Sequence, residues 1–221
     1  MKQVTVIAAC VLSFGSAWAE NFPNADQLLA NVRLSQSQQQ IDLRGQLRQE
    51  ATIVPFHLVQ NGPLIRYIFT NPDETLQLRI GTKDSRLVEI NRTGSEKITR
   101  LSEPVRGTVI TYEDLALKFL YWPNARVTGS DFIRTRNCWK VELPAPAADP
   151  QYGSILLWVD KDSGALMRME GYDGTGKLIK RFEVVSAQKI EDRWYLKQMR
   201  VEKVDPKSGK VTARTYLEIN K

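Results

Sequence analysis

Asp160-Lys161-Asp162-Ser163-Gly164, Asp173-Gly174-Thr175-Gly176 and Asp205-Pro206-Lys207-Ser208-Gly209 punctuate the second half of this chain. In each, an Asp carboxylate can accept from amides of its own turn, and a following Gly tolerates the backbone reversal. The runs between them are rich in β-branched and aromatic residues, so all three read as hairpin turns. Hairpins join antiparallel neighbours, which makes Tyr152 to Ile219 one meander. Asn61-Gly62, Asn71-Pro72-Asp73 and Thr93-Gly94 repeat the pattern in the first half.

Between the turns the period is two. Ile41, Leu43, Gly45 and Leu47 alternate with Asp42, Arg44, Gln46 and Arg48; Leu76, Leu78 and Ile80 alternate with Gln77 and Arg79; Val211 to Ile219 behave likewise. Such strands are half buried. Less regular strands are expected at 53–60, 64–70, 86–91, 97–101, 125–134, 138–143, 153–160, 165–172, 177–189 and 194–204, giving about a dozen, well above an average sheet. Asn24 can cap a first helix over 25–38, with Leu28, Leu29 and Val32 on one side. Thr111-Tyr112-Glu113-Asp114 starts a second, running to Leu120 and stopped by Pro123. Pro144 to Pro150 reads as an exposed loop. The fold class is therefore mainly β with a minor α part: a single curled antiparallel sheet that either closes tightly on its own interior or stays partly open around a cavity plugged by the short helices.

Lys2, the apolar run Val4 to Phe14 and the small residues Ala17 and Ala19 fit a signal peptide cleaved before Glu20, which predicts export to the periplasm. Ile7-Ala8-Ala9-Cys10 matches a lipoprotein box only superficially, because the apolar run continues past Cys10. No later stretch reaches the roughly 20 apolar residues of a membrane span. Residues 20–221 read as one domain. The net charge of +6 becomes +5 when Lys2 is removed, and its basic residues alternate with acidic ones instead of forming a stripe, which argues against nucleic acid as a partner. Cys138 would then lack a disulfide partner and reads as core packing.

Catalytic or metal chemistry finds little support. His57 is the only histidine, so no His-based triad or multi-His metal site can be built. Asp160, Asp162 and Asp173 belong to turns, and the glycines at 171, 174 and 176 precede a strand instead of a phosphate-binding helix. No enzyme, cofactor or metal is expected.

A curled sheet with too little helix to cover its apolar face must fill its own interior or keep a cavity there, and Met167 and Met169 read either as ordinary core or as adaptable side chains pointing into such a cavity. The remaining candidates for its lining are Leu43, Phe56, Leu58, Tyr67, Phe69, Leu76, Leu78, Leu115, Phe119 and Trp158.

The order of elements, with Thr108-Val109-Ile110-Thr111-Tyr112-Glu113-Asp114-Leu115, Leu156-Leu157-Trp158-Val159-Asp160, Arg168-Met169-Glu170-Gly171-Tyr172-Asp173 and Gly176-Lys177, resembles the outer-membrane lipoprotein-sorting proteins, the LolA-like family. The resemblance covers most of the chain after the leader. It implies an unclosed β-barrel with short helices as a lid or plug, and a monomeric periplasmic carrier whose apolar cavity takes acyl chains of lipoproteins or lipids. An inner-membrane release complex and an outer-membrane acceptor are the partners it implies. It also implies a strand arginine, Arg44 or Arg48, that latches the lid. A structural or protein-interaction module of the envelope, with a filled interior, is the alternative.

Overall fold

The computed structural model describes residues 22–147, 149, 151–190 and 193–220; the leader reading lies outside them. After helix α1 (Ala25–Ser37) come β1 (Gln40–Gln49), β2 (Thr52–Asn61), β3 (Leu64–Phe69), β4 (Glu74–Ile80), β5 (Ser85–Asn91) and β6 (Gly94–Lys97). Helix α2 (Tyr112–Ala116) lies in a long connection, which is followed by β7 (Arg126–Ile133), β8 (Arg136–Pro144), β9 (Ser154–Asp160), β10 (Leu166–Tyr172), β11 (Leu178–Ile190), β12 (Arg193–Val204) and β13 (Val211–Asn220).

All thirteen strands form one antiparallel sheet in the order β6-β5-β4-β3-β2-β1-β13-β12-β11-β10-β9-β8-β7. Since β6 and β7 are the two edges, the sheet is an unclosed barrel. This order also dictates the path of residues 98–125: the chain must cross from one edge to the other. That crossing strap carries a 3-10 turn at Val105–Gly107, α2, and a second 3-10 turn at Lys118–Tyr121. The strap covers much of the face that the sheet turns inward.

The predicted turn chemistry is present: Asp173 Oδ1 accepts from the Thr175 and Lys177 amides, Asp205 Oδ1 from Lys207 and Asp160 Oδ2 from Ser163. Two expectations are corrected. A strand over 97–101 does not form, because β6 ends at Lys97 and Ile98 turns into the core at 3% exposure. The second helix does not run to Leu120. It breaks after Ala116, where Leu117 adopts φ 51° and ψ 28°, and resumes as the tighter 3-10 turn. A left-handed leucine is unfavourable on its own. The flanking Ala116, Phe119 and Leu120, all buried, show what the break achieves: side chains on both sides of it face the sheet.

The core has two lobes. One packs Leu47, Phe56, Ile65, Phe69, Leu76 and Leu78 against Val105, Ile110, Tyr112 and Ala116 of the strap. The other packs Val141, Leu143, Ile155, Leu157 and Met169 against Phe119, Leu120 and Trp122 of the strap and Ala25, Leu29 and Val32 of α1. Leu117, Tyr121 and Phe182 touch both.

Candidate functional site

Parity along the strands decides which candidates face inward. Leu43, Phe56, Leu58, Tyr67, Phe69, Leu76, Leu78 and Leu115 all belong to the first lobe, and Phe119 and Met169 to the second. Phe56 sits on Gly45, whose missing side chain makes the room: a Cβ there would lie 2.6 Å from the ring. Burial pushes the Tyr67 hydroxyl up to about 12. Trp158 and Met167 do not join these residues. They pack with Ile133 and Cys138 in a third cluster on the other face. Trp158 takes the outward parity of β9, between the inward Leu157 and Val159; for Met167 the cause is a bulge, in which Leu166 pairs with Val159 and Arg168 with Trp158, so Met167 is the extra residue and the alternation slips. Burial raises the Cys138 thiol to about 11, consistent with a packing role.

The expected hollow is largely filled. Where a cavity was anticipated beneath the lid, the strap's own Val105, Ile110, Ala116, Leu120 and Phe119 occupy the space. Near the base of α2, a void of about 10 Å³ lies among Glu113, Lys118, Trp122, Asp149 and Tyr152. It is about one water in size. A larger, open cleft of about 240 Å³ runs between α1 and the strap, lined by Asp26, Leu29, Arg33, Thr82, Lys83, Leu120, Tyr121, Trp122 and Pro123. Ordinary ligand pockets start at about 300 Å³.

Buried polar groups fix the strap to the sheet at both ends. Asp114, the third residue of α2, forms a capping box with Thr111. Its carboxylate also accepts from Lys180 Nζ of β11 at 2.7 Å, Tyr152 Oη at 2.8 Å and Gln151 Nε2 at 2.9 Å. The Tyr152 ring can reach it because it lies flat on Gly171, where a Cβ would come within 2.1 Å. At the other end Glu74, an inward carboxylate of β4, accepts from Arg100, Arg106 and the Tyr112 hydroxyl. Ser85 Oγ donates to Ala116 O, Tyr121 Oη to Gly81 O, and the Val109 amide to Thr215 Oγ1. Two buried side-chain atoms lack a hydrogen bond among the described residues, Arg200 Nε on the sheet and Glu113 Oε2 in the strap, and burial raises the Glu113 carboxyl.

Helix α1 is held more lightly. Leu29 and Val32, each 1% exposed, and Ala25 contribute its apolar grip. Its side-chain ties to the rest of the fold are Arg33 Nη1 donating to Leu120 O and Gln60 Nε2 of β2 donating to Gln36 O. The Arg33 guanidinium also stacks over Tyr121, 4.9 Å from the ring centre.

The two arginines expected as latch candidates, Arg44 and Arg48, both point away from α1 and the strap. Both share the outward face of β1, where Arg44 is exposed and Arg48 pairs with Glu218 of β13 at 2.6 Å. Arg33, on the helix itself, bonds the strap carbonyl instead. The outward face is a lattice of cross-strand ion pairs in which Glu170, Glu183, Glu202 and Glu218 alternate with Arg168, Arg181, Arg200 and Arg214. Such pairs contribute about 0.2–1 kcal/mol each. Glu218 is the most strongly perturbed: hydrogen bonding from Arg48 first, then from Gln46 and Gln198, lowers it to about 2. His57, which has no acidic neighbour in sequence, acquires one across the strands, with Asp42 Oδ1 at 2.6 Å. Among the described residues no group of three or more His, Cys, Asp or Glu could hold a metal, and no helix is long and apolar enough to cross a membrane.

Residues 89–221 match the model of a family described as "Uncharacterized protein", and the chain belongs to that family. No curated protein matches the sequence. Among solved structures, a putative outer membrane lipoprotein-sorting protein domain from Vibrio parahaemolyticus superposes with TM-score 0.66 at 16% identity, covering 90% of this chain and 92% of that one. A DUF1329 family protein from Desulfovibrio piger gives 0.64 at 16% identity, over 90% and 92%. A LolA superfamily protein from Nitrosomonas europaea gives 0.61 at 15%, over 90% and 93%. The chain shares the LolA-like fold.

Proposed function

We propose, taking that family membership and that fold as the premise, that the chain is a periplasmic carrier of acyl chains and that α1 is its lid. The observation that carries this reading is the asymmetry between the two covers of the inward face. The strap is tied down by buried ion pairs, whereas α1 rests on Leu29, Val32 and Ala25 and two side-chain hydrogen bonds.

Magnitudes decide which cover yields. Two fully buried aliphatic side chains hold α1 with about 3–6 kcal/mol, and each hydrogen bond adds about 1 kcal/mol. Sheltering a sixteen-carbon chain from water is worth about 12 kcal/mol at about 0.8 kcal/mol per methylene. A chain sliding under α1 therefore more than replaces what the helix loses. Lifting the strap would instead break the Asp114–Lys180 and Glu74–Arg100 pairs, each costly to separate inside a protein. The closed form has a small cleft because its lid fills the site that cargo takes. Cargo moves between membranes in this reading, with membrane partners setting the direction, and no catalysis is involved.

A second reading has its own support. The filled interior suits an envelope module that binds protein and carries no lipid. Native mass spectrometry of protein purified gently from its own periplasm separates the two. The carrier reading expects lipid mass that delipidation removes, and a bare polypeptide mass from every preparation would defeat it.

A further inference from the structure

The cleft between α1 and the strap is not uniformly apolar. Its lining includes the buried apolar Leu29, Leu120 and Trp122 together with Arg33 from α1, Thr82 and Lys83 from the β4–β5 turn, and one acid, Asp26; a second acid, Asp84, lies exposed next to Lys83 and acts on Tyr121 but does not line the cleft. Arg33 spends one donor on Leu120 O, and among the described residues its other N–H groups have no acceptor. Lys83 is exposed. The lining itself therefore presents two cations and one anion beside buried apolar side chains, with Asp84 at its margin.

We infer that this cleft recognises an acyl chain bearing an anionic headgroup, a phosphate or carboxylate, in preference to an uncharged one. The inference rests on the carrier reading and narrows its cargo. Arg33 and Lys83 hold the headgroup, Thr82 supplies a hydroxyl donor, and the chain follows Leu29, Leu120 and Trp122 inward beneath α1. Asp26 sits seven residues before Arg33 on the same helix, about two turns away, so it bounds the cleft without neutralising the cationic end.

The same contact gives the headgroup a second role. The bond from Arg33 to Leu120 O, one of two side-chain ties holding α1, uses a neutral acceptor. An anion adds the attraction of a full opposite charge to its hydrogen bonds with a guanidinium, which a neutral carbonyl does not. A docked headgroup thus draws Arg33 away from the strap and loosens the helix that its own chain must displace. Anionic lipid binds and unlatches in one event; a neutral lipid lacks that lever.

Calorimetric titration of the delipidated mature chain with dodecyl phosphate, dodecyl maltoside and inorganic phosphate, each amphiphile below its micelle concentration, tests this. Dodecyl phosphate should bind roughly tenfold more tightly than dodecyl maltoside, with the difference shrinking at high salt. Lys83→Gln, an exposed change that spares the latch, should remove about three- to fivefold of the preference, leaving dodecyl maltoside unaffected, and Asp26→Asn should increase it about twofold. Inorganic phosphate alone should not bind measurably. Equal affinity for the two amphiphiles, unchanged by Lys83→Gln, would overturn the headgroup inference and leave the carrier intact. Inorganic phosphate binding as tightly as dodecyl phosphate would also overturn it, as an anion site unrelated to lipid. Binding of neither amphiphile would sink carrier and headgroup together.

Discussion

Replacing Lys180 with Met asks whether the strap is a fixed plug. Lys180 and Asp114 are 2.7 Å apart with side chains 9% and 2% exposed, so the methionine keeps the aliphatic stem and removes the cation that touches this buried carboxylate. Removing one partner of such a pair costs about 3–5 kcal/mol. Here the lower end applies, because Thr111 N, Tyr152 Oη and Gln151 Nε2 still donate to Asp114. A loss of about 3 kcal/mol, with a urea m-value near 2 kcal/mol/M, moves the unfolding midpoint down by about 1.5 M. Combining it with Asp114→Asn should cost less than the sum of the singles by at least about 1 kcal/mol, since the two groups act as a unit. Equilibrium urea unfolding of the four proteins reads both numbers. A midpoint shift below about 0.3 M, or strict additivity, would mean that the pair does not fasten α2, and the assignment of α1 as the lid would lose its contrast.

Four further outcomes follow from the same geometry. Arg33→Met should cost only about 1 kcal/mol of stability, yet speed uptake of an uncharged fluorescent acyl ester several-fold by stopped flow; an unchanged rate would remove the latch. Gly171→Ala should destabilise by about 2–3 kcal/mol in urea, because its methyl group displaces the Tyr152 ring and with it a donor to Asp114. Glu113→Gln should stabilise by about 1 kcal/mol at pH 7 and have little effect at pH 4. A carboxyl raised by burial favours the folded state only while protonated, so that contribution fades as pH rises above 4.5. Glu218 works with the opposite sign: lowered from 4.5 to about 2, it stabilises above pH 4.5 and loses that contribution as pH falls toward 2. Glu218→Gln should therefore cost about 1–2 kcal/mol at pH 7, after allowance for the partly exposed Arg48, and the two proteins should converge near pH 2 in acid unfolding.

Much of the sheet was legible because turns and parity are local. The Asp and Gly residues at 160–164, 173–176 and 205–209 act within their own hairpins, and alternation along 41–47 and 211–219 already separates inward from outward residues. Parity also applies to the latch. The rule that turns Leu43 and Leu47 inward turns Arg44 and Arg48 outward, beyond reach of any lid, and only the resemblance pointed to a strand. Arg33 on the helix carries no such signal. Its partner is the Leu120 backbone, 87 residues away. Asp114 and Lys180 are 66 residues apart, and their contact depends on the crossing of the strap. Met167 was misplaced because a bulge adds one residue without a glycine or proline to announce it. The strap hid the filled interior for a related reason. Ile98, Val105, Ile110 and Phe119 are buried along an irregular path, so no period of two or 3.6 marks them as core.

Photo-crosslinking with a fatty acid carrying a diazirine at its chain end, read by peptide mass spectrometry, tests most directly whether acyl chains enter beneath α1. Adducts should be confined to Leu29, Leu120, Trp122 and the inward residues of β8 to β10, and competing unlabelled fatty acid should diminish them. Adducts scattered over exposed apolar residues such as Phe132 and Trp194, or none that competition removes, would contradict entry beneath α1.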